Sequence, residues 1–146
     1  MIIKTQIKGN DTIALMLKHH GRNRDNKLKE IFHKYGNEMR NYIIRGMRDT
    51  PKAPWSYKRG KGRFHFPSLP GAFPAIDRDR LVSQIKYFSS SRYLKVGVMD
   101  DVPYGKFLET GTRKMYARPF IKPTMTAFVP RVKNSIMEAI RETIKK

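Results

Sequence analysis

Carboxylates are the side chains of this sequence with the clearest capacity for catalysis. Asp77 with Asp79 and Asp100 with Asp101, together with Glu109, could hold Mg²⁺ beside a phosphate, as in a metal-dependent nuclease. However, Asp77 and Asp79 alternate with arginines, and Asp100-Asp101 has the composition of a turn that follows a strand. We therefore interpret both pairs as structural, and the nuclease remains a third hypothesis.

Neither the histidines nor the standard catalytic motifs indicate an active site. His19, His20 and His33 fall on or near helical segments, His65 stands alone, and a zinc site needs three or four matched ligands. The sequence has no cysteine, no Gly-rich phosphate loop, no nucleophile elbow and no HExxH motif. We predict that the chain is not an enzyme and binds no metal and no cofactor.

Aromatic and basic residues are mixed in one segment that could bind a polyanion. Residues 50–74 are rich in proline and glycine and have no helical or strand period, which predicts one long loop. The cations could neutralise nucleic-acid phosphates, or the aromatics could anchor in a neighbouring subunit. We favour the subunit slightly, because duplex DNA hides the faces of its bases. The polyanion-facing residues would be Lys58, Arg59, Lys61 and Arg63, and the aromatic anchor would be Trp55.

The charge of the chain requires a partner. Thirty-one Lys and Arg against 12 Asp and Glu give a net charge of +19, which repels itself unless a polyanion or an acidic surface compensates it. No run approaches the roughly 20 apolar residues needed to cross a bilayer, and the first residues lack the pattern of a secretory signal. We expect a soluble protein with no membrane partner.

The predicted helices and strands indicate a single α+β domain over residues 1–146, in which about residues 50–75 form an extended loop or arm. Residues 2–8 alternate as a strand does, and residues 12–20 predict a helix capped by Asp11 and ended by Gly21. Residues 25–48 predict a long amphipathic helix. Its apolar stripe contains Leu28, Ile31, Phe32, Tyr35, Met39, Tyr42, Ile43 and Met47.

The second half of the chain predicts a hairpin and two helices. Residues 81–88 and 93–99 read as antiparallel strands, residues 104–109 as a short helix ended by Gly111, and a last helix begins near Pro123. Pro130 should kink that helix or split off its first turn. Its core side contains Met125, Phe128, Val129, Val132, Ile136, Ile140 and Ile144. The expected fold is a small antiparallel sheet packed by the long amphipathic helix and the last helix.

The most specific stretch is residues 104–123, YGKFLETGTRKMYARPFIKP. It resembles the signature of the neck and tail-completion proteins of tailed bacteriophages, the lambdoid tail-component family, in which Tyr…Glu-x-Gly-Thr…Met-x-Ala-Arg-Pro-Phe-x-x-Pro precedes a C-terminal helix. Residues 70–81, PGAFPAIDRDRL, resemble that family's Pro-Gly-x-Pro-Pro-x-x-x-x-Gly-x-Leu stretch. Asp79 stands where the family commonly has Gly, and the basic segment 55–66 is longer than expected, so the resemblance assigns no role to that segment.

The resemblance implies a virion structural protein of the head-tail junction, made in the host cytoplasm and assembled as a ring between the portal side and the tail tube. Its partners would be about six or about twelve copies of itself, other neck, portal-adaptor and tail-tube or tail-terminator proteins, and packaged DNA in the channel. The alternative is a sequence-nonspecific DNA-binding protein, with the same cations on the duplex.

We expect the motif to form a rigid corner at the subunit interface. Gly111 would turn with positive φ, Pro119 and Pro123 would stiffen the chain, and Glu109 would pair with Arg118 within the chain or across to the next subunit. That these residues only hold the chain's own fold is an equal alternative. The interface candidates are Trp55, Tyr104, Glu109, Gly111, Thr112, Arg113, Met115, Arg118, Pro119 and Phe120.

Overall fold

The computed structural model describes residues 22–77, 79–99 and 102–144. Within these ranges, four α-helices and two small antiparallel sheets form a mixed α+β fold, which confirms the predicted class. The predicted strand 2–8, the predicted helix 12–20 and the pair Asp100-Asp101 lie outside the described residues. In chain order the elements are α1 (Arg22–Asp49), β1 (Tyr57–Arg59), β2 (Arg63–His65), α2 (Arg80–Ser83), β3 (Ile85–Ser89), β4 (Leu94–Val98), α3 (Tyr104–Thr110) and α4 (Ile121–Ile144).

Helix α1 is the centre of the fold, and its predicted apolar stripe is confirmed. The stripe packs against α4 on one side and against β3 and β4 on the other. Ile31 is half-buried and Tyr42 is partly exposed at the edge, where its ring contacts Phe73 and Phe128 edge-on. The buried members are Leu28, Phe32, Tyr35, Met39, Ile43 and Met47.

Strands β3 and β4 form an antiparallel pair that we call the core hairpin. Because side chains alternate along a strand, Leu94, Val96 and Val98 share one face with Ile85, and all four are buried against α1. Tyr87 lies on the same face and covers Gly36 of α1, where a Cβ atom would meet its ring at 2.3 Å. The glycine lets the helix approach the hairpin closely.

The first strand of the core hairpin begins later than predicted. Residues 81–83 belong to the single helical turn α2, and the strand starts at Ile85. Leu81 and Val82 are neighbours in sequence, yet both pack against the core, which a turn of helix permits and the alternation of a strand does not. The second strand and the short helix α3 lie within a residue of their predicted bounds.

Helix α4 packs antiparallel to α1 along its length. Tyr35 Oη lies 2.8 Å from Ser135 Oγ, and Arg131 lies 3.4 Å from Glu38 while stacking over the Phe128 ring. The helix begins at Ile121 and runs through Pro130 as one element, so of the two predicted effects of Pro130, a kink or a split, the split does not occur. Pro130 is exposed, and Phe128 and Val132 on either side of it are buried, so packing against α1 outweighs the loss of one hydrogen bond.

Candidate assembly surfaces

The carboxylate of Glu109 joins the end of α3 to the beginning of α4. Its Oε2 accepts hydrogen bonds from the backbone N–H groups of Phe120 at 2.8 Å and Ile121 at 3.0 Å, and its Oε1 accepts one from Lys122 at 2.8 Å. The first N–H groups of a helix have no partner within it and carry a partial positive charge, which a carboxylate stabilises. Glu109 is therefore the cap of α4, supplied from eleven or more residues upstream.

Gly111 makes the turn between the two helices. Its φ of 76° is the positive value predicted, and a Cβ there would stand 2.9 Å from the backbone nitrogen of Ala117. Thr112 and Met115 close a tight turn through reciprocal backbone hydrogen bonds of 2.8 and 3.2 Å. Residues 109–122, which we call the corner, are thus held by backbone hydrogen bonds, the Glu109 carboxylate and the positive-φ glycine.

The predicted ion pair between Glu109 and Arg118 does not form within the described chain. Glu109 is occupied by backbone N–H groups, and the Arg118 Nε donates instead to the carbonyl of Ser68 at 3.0 Å. The Arg118 backbone N–H donates to the carbonyl of Leu108 at 2.7 Å. Arg118 therefore links the corner to the segment before it. The pairing within the chain was wrong because spacing does not reveal which backbone groups need a partner, and the pairing across to a neighbouring subunit stays a prediction.

The predicted interface residues divide into three groups by burial. Phe120 is 0% exposed inside the chain's own core, so it is unavailable to a second subunit and its interface role is corrected. The half-buried members, all in the corner, are Glu109, Gly111, Met115, Arg118 and Pro119. The exposed members are Trp55, Tyr104, Thr112 and Arg113.

Two exposed aromatics of the corner region were not among the predicted interface residues. Tyr116 is 76% exposed, and Phe107 is exposed on α3 one helical turn after Tyr104. The spacing of three residues between Tyr104 and Phe107 was the available signal, since residues three apart share a helix face. Leu108 points to the core instead.

The predicted loop 50–74 contains a second hairpin, which corrects that prediction. Strands β1 and β2 pair Tyr57 with His65, Lys58 with Phe64, and Arg59 with Arg63, around the turn Gly60–Gly62. We call these residues, 57–65, the arm hairpin. Strands of three residues are too short to show an alternating pattern, so no period was present to detect.

The candidate cations lie on the arm hairpin. Arg59 and Arg63 are a cross-strand pair, Lys58 is exposed opposite Phe64, and Lys61 is exposed in the turn with a φ of 62°. Several cations on one short hairpin repel each other. This concentration of positive charge therefore suits an acidic partner better than it suits the isolated chain.

The base of the arm hairpin is attached to the body of the fold. Ala53 donates its backbone N–H to Pro67 at 2.7 Å, and His65 Nδ1 lies 3.2 Å from Asp77 Oδ1. The ring of Tyr57 packs edge-on against that of His65, with centroids 5.1 Å apart. These contacts fix the direction of the arm although its tip is exposed.

A cavity of about 400 Å³ lies beside the base of the arm. Its apolar walls include Met47, Pro67, Ile76, Leu81, Leu108 and Met115. Its polar lining includes Tyr57, His65, Ser68, Asp77, Asp79, Arg80, Tyr104 and Arg118. The cavity thus lies between the arm hairpin, the segment 67–82 and the corner.

The carboxylates considered for Mg²⁺ do not assemble into a site in the part of the chain that the structure describes. Asp77 pairs with His65, and no group of three or more His, Asp or Glu side chains there could hold a metal ion. Among the described helices, none is long and apolar enough to cross a membrane.

Comparison of the chain with protein-family models, curated protein sequences and solved structures found no match.

Proposed function

We propose that this chain is a non-enzymatic structural protein of the head-tail junction of a tailed bacteriophage, which assembles head-to-tail as a ring between the portal side and the tail tube. The observation that carries the proposal is the division of residues 104–123 between those that hold the fold and those that remain exposed. Glu109, Gly111 and Arg118 hold the chain's own fold, whereas Tyr104, Phe107 and Tyr116 of the same segment remain exposed.

A rigid corner with exposed rings has the properties of a protein-protein interface. Tyr104, Phe107 and Tyr116 are presented by a backbone that hydrogen bonds and a positive-φ glycine hold in place. Aromatic anchors on a preorganised backbone contribute strongly to binding, because little conformational freedom is lost when the partner docks. Such an arrangement has no evident use in a protein that acts alone.

The asymmetry of these surfaces supports a ring. The corner and the arm hairpin are different surfaces of one chain, and a contact between two different surfaces repeats from copy to copy and closes into a ring when the rotation between copies permits it. The resemblance of residues 70–81 and 104–123 to the tail-component family supports the phage assignment and the place at the junction.

The cations give the ring a charged surface that needs compensation. One face of α1 is lined by exposed basic residues, and several such faces in one ring would repel each other. We propose that this surface faces packaged DNA in the channel or acidic patches on neighbouring neck and tail proteins. The exposed cations of α1 include Lys27, Lys29, Lys34, Arg45 and Arg48.

The net charge of +19 also favours a second candidate, a free sequence-nonspecific DNA-binding protein. That protein would bind any duplex as a monomer, and its affinity would fall steeply with salt because each neutralised phosphate releases counterions. Such a protein would have no need of the exposed aromatics Tyr104, Phe107 and Tyr116.

Light scattering of the purified chain across concentration and salt, with a DNA titration of the same sample, tests the two candidates. A discrete ring, or a monomer that becomes one when neck or tail proteins are added, supports the assembly proposal. A monomer that ignores those proteins and binds any duplex tightly contradicts it and supports the DNA-binding candidate.

A further inference from the structure

The arm hairpin separates a cavity from an exposed phenylalanine. Tyr57 and His65 line the cavity. Phe64 and its cross-strand partner Lys58 lie on the opposite face, because successive residues of a strand point to opposite sides. Phe64 is 65% exposed. The hairpin therefore has a pocket on one side and a projecting ring on the other.

The chain cannot fill its own cavity with Phe64. The strand that carries Phe64 also forms part of the cavity wall, so the ring and the pocket face away from each other within one copy. A second copy, placed against the cavity, can insert the same ring. The cavity can accept an aromatic ring because about half of its lining residues are apolar, and a volume of about 400 Å³ lies within the range of ordinary binding pockets.

The cavity lining has charges of both signs, Asp77 and Asp79 with Arg80 and Arg118. Asp77 is paired with His65, whereas Asp79 is an exposed acid at the cavity. Lys58 is exposed next to Phe64, so Asp79 is the acid that this lysine could approach. A Lys-Asp contact across the interface would select one orientation of the incoming hairpin and reduce the repulsion between copies.

We propose that Phe64 of one copy inserts into the cavity of the next copy, with Lys58 of the first beside Asp79 of the second. This contact rests on the proposed function and names its subunit interface. It is heterologous, since it joins two different surfaces, and each copy uses its own pocket and its own ring once. A chain of such contacts produces a closed ring when the rotation between copies permits it.

Two variants that block opposite sides of the contact test it. Phe64→Asp removes the ring and leaves the cavity intact, whereas Ala75→Trp places a large side chain in the cavity and leaves the ring intact. Each variant alone should be monomeric in analytical ultracentrifugation at concentrations where the unmodified chain assembles. An equal mixture should form a dimer and nothing larger, because one working ring and one working pocket remain.

The chain supplies a matched control for the ring variant. Phe88 is 44% exposed on β3 and also pairs with a lysine, Lys95, across its hairpin. Phe88→Asp should assemble as the unmodified chain does. Circular dichroism melts of all variants verify folding, and Phe64→Ser replaces Phe64→Asp if the latter unfolds.

A charge exchange tests the polar part of the contact. Lys58→Glu and Asp79→Lys should each weaken association by about tenfold or more, and the double variant should recover most of the loss. Lysine is acceptable at position 79, where φ is 53°, because Lys61 of the same chain adopts a φ of 62°. Failure of the double variant to recover contradicts the pairing of these two residues.

The outcomes separate this contact from the function that it serves. If the unmodified chain forms rings and Phe64→Asp forms them equally well, or if the mixture stays monomeric, this contact is wrong while the assembly proposal stands. If the unmodified chain stays monomeric throughout, this contact is also wrong, and the assembly proposal depends on ring formation with added neck proteins. Dimers in the mixture, with assembly of Phe88→Asp, support the contact.

Discussion

The two hairpins of this chain have similar local structure and opposite environments. Both are antiparallel pairs, and both place an exposed phenylalanine opposite a lysine. The core hairpin buries Ile85 and three aliphatic residues of β4 against α1, whereas the described side chains of the arm hairpin are exposed apart from the half-buried His65. An isolated two-stranded hairpin is marginally stable in water, so burial stabilises the first and the contacts at its base stabilise the second.

The difference in burial indicates which hairpin stabilises the fold and which is available to a partner. The residues of the core hairpin are committed to the fold and have little left to offer a partner. Those of the arm contribute little to the fold, so a partner can bind them without disturbing the core. The following variants test this division, beginning with the largest expected effect.

Truncation of a buried residue should show most clearly how differently the two hairpins contribute to the free energy of unfolding. Ile85 is 0% exposed, so Ile85→Ala should lower the free energy of unfolding by about 2–5 kcal/mol, the usual cost of removing a large buried aliphatic group. Phe64→Ala on the arm should change it by less than about 0.5 kcal/mol. Urea unfolding measures both, and equal losses would contradict the division between core and arm.

Loss of the carboxylate that caps α4 should have the next largest effect. Glu109→Gln keeps the shape of the side chain and removes the charge that accepts three backbone N–H groups, so the free energy of unfolding should fall by about 1–3 kcal/mol. Glu138→Gln, exposed on the same helix, is the control and should have little effect. A loss no larger than that of the control would show that the cap is dispensable.

The base of the arm should open locally when Arg118 is shortened. Arg118→Lys loses the Nε donor to Ser68, worth about 1 kcal/mol, so the Ala53 amide should exchange with solvent about fivefold faster. Amides in the middle of α1 should keep their exchange rates. Arg113→Lys, at an exposed position of the corner, serves as control, and faster exchange throughout the chain would mean that Arg118 supports the core instead.

The smallest expected effect lies at Asp79, between the two hairpins. Its φ of 53° belongs to the left-handed region, which glycine adopts without a Cβ clash and aspartate tolerates better than alanine does. Asp79→Ala should therefore be less stable than Asp79→Gly by about 0.5–1 kcal/mol in thermal unfolding. An alanine variant as stable as the glycine variant would mean that the backbone relaxes at this position.

The sequence predicts those parts of the fold that have a repeating apolar pattern or a backbone conformation that only certain residues adopt. The stripe of α1 extends over several turns, and Gly111 marks the end of α3, so both were predicted correctly. The arm hairpin was missed because its strands are three residues long. The cap by Glu109 was missed because the positions of charged residues in the sequence do not reveal which backbone N–H groups at a helix N-terminus lack a partner.

The candidate site was less predictable than the fold. Residue type selected Trp55 and Tyr104 as interface candidates, and both are exposed, but it also selected Phe120, which the core of the chain buries. The cavity combines side chains from the segment 47–118 that no local pattern connects. Such a site depends on tertiary packing, which periodicity does not encode.

The antiparallel contact between α1 and α4 has a consequence during translation. Tyr35 and Ser135 are 100 residues apart in sequence, and contacts of such high contact order form late. At a synthesis rate of about 5–20 residues per second, α1 waits about 5–20 seconds on the ribosome before α4 arrives to cover its apolar stripe. An interrupted polypeptide therefore exposes that stripe, which makes it a target for chaperones and proteases before it can enter a growing assembly.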